Sequence, residues 1–224
     1  MTPDPVITGA VVGALAAAFV PRIADVWAAS PARSPRNRWL RGLLAGACTA
    51  TVASALSWRH PPHGSHELLL LTAWMVFTVV GMSLAWIDVV IQRLPTRLIG
   101  GAAATIAALL CLAAALAGQP AQLLTPVLAA AVLGGGYTAL VAVGASRMGM
   151  GDVRLAALTG LLLGTAGWAE VILGAVLPYL LALPFAAVTV SRARLTGVRK
   201  PLPFGPFLIA ATIIAGLVTS CRGS

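Results

Sequence analysis

The chain has 224 residues, of which 59% are hydrophobic and only 9% charged, and its mean hydropathy is +0.93. Soluble domains carry roughly one-quarter charged residues, so a water-soluble globule is excluded. The formal net charge of +9 does not point to nucleic acid, because the basic residues are scattered among short loops and no soluble domain exists to carry a binding surface.

The uncharged runs 68–87, 98–146 and 171–191 each reach or exceed the ~20 apolar residues needed to cross a bilayer. They are continuously apolar rather than alternating, which excludes a transmembrane barrel. The start, MTPDPVITG, has Asp4 and no Lys or Arg before Arg22. It lacks the basic beginning of a secretory signal, so the first apolar run, 6–20 with an extension to about 28, is expected to be retained. Runs 42–58 and 68–90 give the second and third spans. The 49 uncharged residues from 98 are about twice a span, and Gly118, Gln119, Pro120, Ala121 and Gln122 supply the turn between two helices. From Leu155 to Val190 only Glu170 interrupts, so this stretch also holds two helices, the first of them short, with the turn at Gly167 to Glu170. The last span runs from about Phe204 to Ser220. The expected fold class is therefore all-α, a polytopic membrane helical bundle of about eight transmembrane helices forming one domain over 1–224.

Cytoplasmic loops retain positive charge, so the distribution of Lys and Arg sets the orientation. Alternate loops hold Arg33, Arg36, Arg38 and Arg41; Arg93 and Arg97; Arg147 and Arg154; and Arg192, Arg194, Arg199 and Lys200. The opposite loops and tail hold only Arg59 and Arg222; with Arg22, near the inner end of the first span, left uncounted, the ratio of twelve to two places both termini outside. Trp27, Trp39, Trp58, Trp86 and Trp168 fall at predicted span ends, as an interfacial belt requires.

Ionisable groups are costly in lipid, so each of the six acids needs an explanation. Asp4 is in the tail, Glu67 and Glu170 lie at outer ends, and Asp25 is placed to pair with Arg22 on one helix face. Asp88 and Asp152 remain. At about 1.5 Å per residue, Asp88 lies about 30 Å beyond Glu67, at the inner end of the third span. Asp152 opens the sixth span from the same side, so the two carboxyls share one depth although 64 residues separate them. Two carboxyls that approach at a partly desolvated site share a proton, which is the state an aspartic protease needs: the ionised member activates water and the neutral member donates to the peptide carbonyl. The competing structural role is that each Asp is an interfacial residue or a helix cap, which suits Asp152 well.

The surrounding residues narrow this choice. Asp152 sits in Gly149-Met150-Gly151-Asp152-Val153-Arg154-Leu155, where two glycines leave room for a substrate backbone. Asp88 is followed by Leu94-Pro95, and Pro95 ends the helical stretch. A Pro203-Phe204-Gly205-Pro206-Phe207 segment comes late in the chain. In these three features, whose order and spacing cover most of 80–210, the chain resembles the type IV prepilin leader peptidase family, within the GxGD class of membrane aspartyl proteases.

The resemblance implies cleavage of the positively charged leader of prepilin or pseudopilin-like precursors at the cytoplasmic face of the inner membrane. Asp88 and Asp152 would be the catalytic acids, with Gly149, Gly151, Arg154 and Pro95 shaping the site and no cofactor or metal. Two positions depart from the family pattern: Thr96 replaces the usual Asn or Asp after the proline, and Arg154 replaces the usual Lys. Longer family members also carry a cytoplasmic insert with paired CxxC motifs, associated with N-methylation of the mature pilin. Here the loop from Ser30 to Arg41 has no cysteine and is too short for a zinc-bound domain.

Two alternatives come from other functional classes. One is a proton-coupled transporter using the intramembrane acids, although such sites usually lie near the bilayer midplane. The other is a scaffold or assembly subunit without catalysis. His60, His63, His66 and Glu67, in a Pro-Pro-Gly loop on the outer side, are read as a solvated loop rather than a metal site. Cys48, Cys111 and Cys221 are too far apart for a zinc motif or a disulfide framework. Gly9 with Gly13, Gly42 with Gly46 and Gly160 with Gly164 have the spacing of close helix packing. Gly134, Gly135, Gly136 and Tyr137 mark either a flexible or a closely packed part of the fifth span. Pro178 and Pro184 are expected to kink the seventh.

Overall fold

The computed structural model describes residues 4–28, 35–59, 62, 64–92, 94–143, 149–196 and 203–218. These residues form eight α-helices, with no strand among them: α1 Pro5–Ala28, α2 Pro35–Arg59, α3 Ser65–Ile91, α4 Thr96–Leu116, α5 Leu124–Ala142, α6 Met150–Leu163, α7 Trp168–Thr196 and α8 Gly205–Val218. A short 3-10 turn, Pro120–Leu123, leads into α5. The chain is an all-α membrane bundle. Four segments are long and apolar enough to cross a bilayer: Ser65–Ile91, Thr96–Leu116, Pro120–Ala142 and Trp168–Ser191. Val6–Val20, Gly42–Trp58 and Gly205–Val218 are shorter apolar segments. The expectation of eight helices is met, and among the described residues four of them combine the length and the apolar character needed to cross a bilayer. The 14 residues of α6 reach about 21 Å, short of the ~30 Å hydrocarbon core.

The helix boundaries have local causes. α3 ends where Gln92 takes a left-handed conformation (φ 55°) and its amide caps the carbonyl of Asp88. Pro95 then serves as the N-cap of α4 at φ −70°, the value its ring imposes. Gly118 turns the chain between α4 and the 3-10 turn at φ +65°, a region open to glycine. The next turn falls at 164–167, so Glu170 lies inside the first turn of α7 rather than in the connection. α7 runs unbroken through Pro178 and Pro184.

The core sits between α3, α4, α6 and α8, where Phe77, Leu84, Ile106, Leu155, Leu162 and Leu208 are fully buried. Exposed faces are just as apolar: Val127, Ile172, Leu183 and Val188 point outward, as a lipid-facing surface requires. Trp58 and Trp168 are exposed at helix ends. The small residues act where their spacing placed them. A Cβ on Gly13 would lie 2.8 Å from the carbonyl of Gly46, and one on Gly46 equally close to that of Gly13, so α1 and α2 touch backbone to backbone. Gly160 faces the Ala129 carbonyl and Gly164 the backbone of Pro126, locking α6 against α5. The open question at 134–136 is answered by side: a Cβ added to Gly134 would lie 3.0 Å from the Ala157 methyl, while one added to Gly135 or Gly136 would meet nothing within 4 Å.

Candidate active site

Asp88 lies in the last turn of α3, on the same face as the buried Leu84 and Ile87, and is itself only 5% exposed. That placement would strand a carboxylate in apolar surroundings. The backbone amide of Gly205, the first residue of α8, donates to its Oδ2 at 2.9 Å. The N-terminus of α8, with its unpaired amides and positive dipole end, therefore faces the acid. Only glycine fits there, because a Cβ would lie 2.9 Å from the same Oδ2.

Asp152 is at the third position of α6 and is 9% exposed. Its Oδ2 accepts the amide of Gly149 at 3.3 Å, which is half of a capping box. The capping role considered from sequence is thus real, yet it occupies only one oxygen. Oδ1 is buried with no hydrogen-bond partner among the described residues. The two carboxyls lie within electrostatic reach of one another. Packing has brought the end of α3, the start of α6 and the start of α8 to one end of the bundle, and each acid rests on a helix N-terminus.

The flanking candidates occupy distinct places. Gly151 is pressed against Leu94, whose Cβ would be 2.8 Å from an added Cβ, so this glycine admits the Leu94-Pro95 segment instead of leaving space for a substrate. Gly149 is exposed, and although its amide is held by Asp152 Oδ2 at 3.3 Å, a Cβ added to it would meet nothing closer than 3.9 Å, so it alone of the pair remains open to an approaching chain. Pro95 starts α4 and thereby aims Thr96 at α6. There Arg154 Nη1 donates to Thr96 Oγ1 at 2.6 Å. The two positions that depart from the family pattern are therefore hydrogen-bonded partners. Arg154 is exposed.

Three residues near the acids carry no local signal of a role in the sequence. Gly205 lay inside a recognised segment, but nothing local shows that its amide meets an acid 117 residues away. Thr96 was visible only as a departure. Tyr137, in α5, is 3% exposed and packs with Tyr179 of α7 and with Phe204 at ring-centroid distances of 6.0 and 6.2 Å. Tyr179 and Phe204 complete the cluster at 5.3 Å. It walls the site beside Gly205.

The remaining candidates lie elsewhere. His66 and Glu67 are 3.8 Å apart at the far end of α3, and His60 and His63 lie outside the described residues. Among the described residues no group of three or more His, Cys, Asp or Glu side chains could hold a metal ion. Cys48 and Cys111 are free and exposed, and Cys221 lies outside the description. So do the Asp25 side chain, and with it the proposed pairing with Arg22, and most of the basic loop residues. Compared with known protein families, with curated protein sequences and with solved structures, the chain matches none.

Proposed function

We propose that the protein is a membrane aspartic endopeptidase that removes the leader of prepilin-like precursors at the cytoplasmic face of the inner membrane. The observation that carries this reading is the placement of Asp88 and Asp152, both buried, at the same end of the bundle, with the Gly205 and Gly149 amides each holding one carboxylate oxygen. Two hydrogen-bonded acids held together and partly desolvated can share one proton. The ionised carboxylate takes a proton from water as the water oxygen bonds to the scissile carbonyl carbon. The neutral carboxyl gives its proton to the carbonyl oxygen. The tetrahedral intermediate then breaks its C–N bond, the amine leaves with a proton, and the two acids return to sharing one.

The site suits a substrate arriving at the membrane surface. Gly149 is exposed beside Asp152, and the acids lie at helix ends, not at the midplane where transporters place such groups. That position favours hydrolysis over proton-coupled transport. The partners of this reading are a prepilin or pseudopilin-like precursor and the lipid bilayer, without nucleic acid, metal or cofactor. The short cysteine-free loop between the first two helices supports a peptidase without the N-methylation of the longer family members. The test is co-expression of leader-bearing precursors with the wild-type protein and with Asp88→Asn and Asp152→Asn, scoring the precursor by size and by its new N-terminus. Processing by the wild type alone is expected. Processing by either variant would remove that acid from the mechanism.

A further inference from the structure

We propose that Tyr137 is a positioning residue of this site, its hydroxyl holding Oδ1 of Asp152 through one bridging water; this inference rests on the peptidase reading of the acid pair. The argument begins with helix register. α5 and α6 run antiparallel, and their close approaches step along both helices together: Pro126 against Gly164, Ala129 against Gly160, Gly134 against Ala157. Continuing the same steps brings Tyr137 level with Val153 and Asp152. Its ring is fixed from the other side by Tyr179 and Phe204, and Phe204 immediately precedes the Gly205 amide that binds Asp88. Tyr137 therefore stands at the depth of the acids and on their side of α5.

Two buried polar atoms in this small region lack standard hydrogen bonds: the Tyr137 hydroxyl and Asp152 Oδ1. One is a donor and the other an acceptor, and Asp152 is near enough to act electrostatically on Tyr137; the Tyr179 hydroxyl also approaches that of Tyr137 but does not reach standard hydrogen-bond geometry. Buried polar groups without partners are rare in folded proteins, and each such group calls for a reason. Phenylalanine would fill the same aromatic cluster without leaving a hydroxyl to satisfy. A water shared between the two meets the need of both groups, since such a water requires polar partners in a confined site. With Oδ2 already held by Gly149, a bond at Oδ1 fixes the plane of the carboxyl.

The test uses the purified full-length protein in detergent with a prepilin-type precursor, comparing Tyr137→Phe with Thr138→Val, which removes a hydroxyl from the exposed side of α5. The carboxyl vibration that disappears in Asp152→Asn is followed in parallel by infrared difference spectroscopy. Tyr137→Phe should lower kcat about tenfold to a hundredfold, as misplacing a reacting group does, and leave KM nearly unchanged. It should also shift the Asp152 band without lowering the unfolding temperature. Thr138→Val should change none of these. An unmoved band in Tyr137→Phe overturns the proposal, whatever the rate does, and so does an unchanged kcat. If the wild type cleaves no precursor, the peptidase reading fails by itself, and the band still decides whether Tyr137 is coupled to Asp152.

Discussion

Replacing Gly205 by Ala probes the device that holds Asp88 in place. The added Cβ would sit 2.9 Å from Oδ2, 3.2 Å from Cγ and 3.4 Å from Cβ of the acid. Carboxylate and helix must therefore move apart, at the bond where the Gly205 amide donates at 2.9 Å. A hydrogen bond to a charged group contributes about 1.5–3 kcal/mol, and overpacking a tight site costs about 1–3 kcal/mol. If the whole hydrogen-bond contribution is lost from the positioned acid, the rate falls by about tenfold to 150-fold. The assay is cleavage of a purified precursor in detergent, with thermal unfolding measured on the same samples. Gly135→Ala is the control, since nothing lies within 4 Å of that position, and there the substitution should be neutral or stabilise α5 by up to about 1 kcal/mol. Cleavage by Gly205→Ala at the wild-type rate would refute the claim that this amide organises the acid.

Three further outcomes are expected. Cysteine introduced at Ser65 should react with an impermeant reagent from outside and cysteine at Met150 should not, given the twelve-to-two charge asymmetry of the loops; the reverse pattern would overturn the orientation. Gly160→Ala should destabilise the α5–α6 contact by at least about 1–3 kcal/mol, read as a lower unfolding temperature, because its methyl would enter the Ala129 carbonyl and approach Ala130 Cα at 2.9 Å; an unchanged temperature would show that the helices can part freely. Chelators should leave precursor processing intact, and elemental analysis should find no stoichiometric zinc, as the missing CxxC pairs imply; loss of activity restored by zinc would contradict this.

Much of the architecture is legible because lipid imposes a simple rule on composition. A 49-residue uncharged run must fold back on itself, and Gly118 to Gln122 is the stretch near its middle rich in turn formers. The same scarcity of charge isolates Asp88 and Asp152: an acid at a helix end in such a chain stands out as one in a soluble protein would not. Lengths are less legible. Hydropathy marks the apolar part of a helix, so α2 begins at Pro35 and carries Arg36, Arg38 and Arg41 as helical residues ahead of its apolar stretch. The contacts around the acids are hidden for a different reason. Gly205 on Asp88 and Arg154 on Thr96 join residues 117 and 58 positions apart, and only the packing of α3, α4, α6 and α8 sets those pairings. Tyr137 is hidden among apolar neighbours, where one aromatic side chain looks like any other core residue until its hydroxyl is found buried.

The central claim is that Asp88 and Asp152 work as one hydrolytic unit. The most direct measurement is cleavage of a purified precursor by purified wild-type protein, Asp88→Asn, Asp152→Asn and the double variant, with both products identified by mass spectrometry. Residues that act together lose activity non-additively. Each single variant should therefore be as inactive as the double one while still inserting and folding, because an amide is close in shape to a carboxyl and cheaper to bury than an ion. Cleavage by either single variant at a substantial fraction of the wild-type rate would contradict the account.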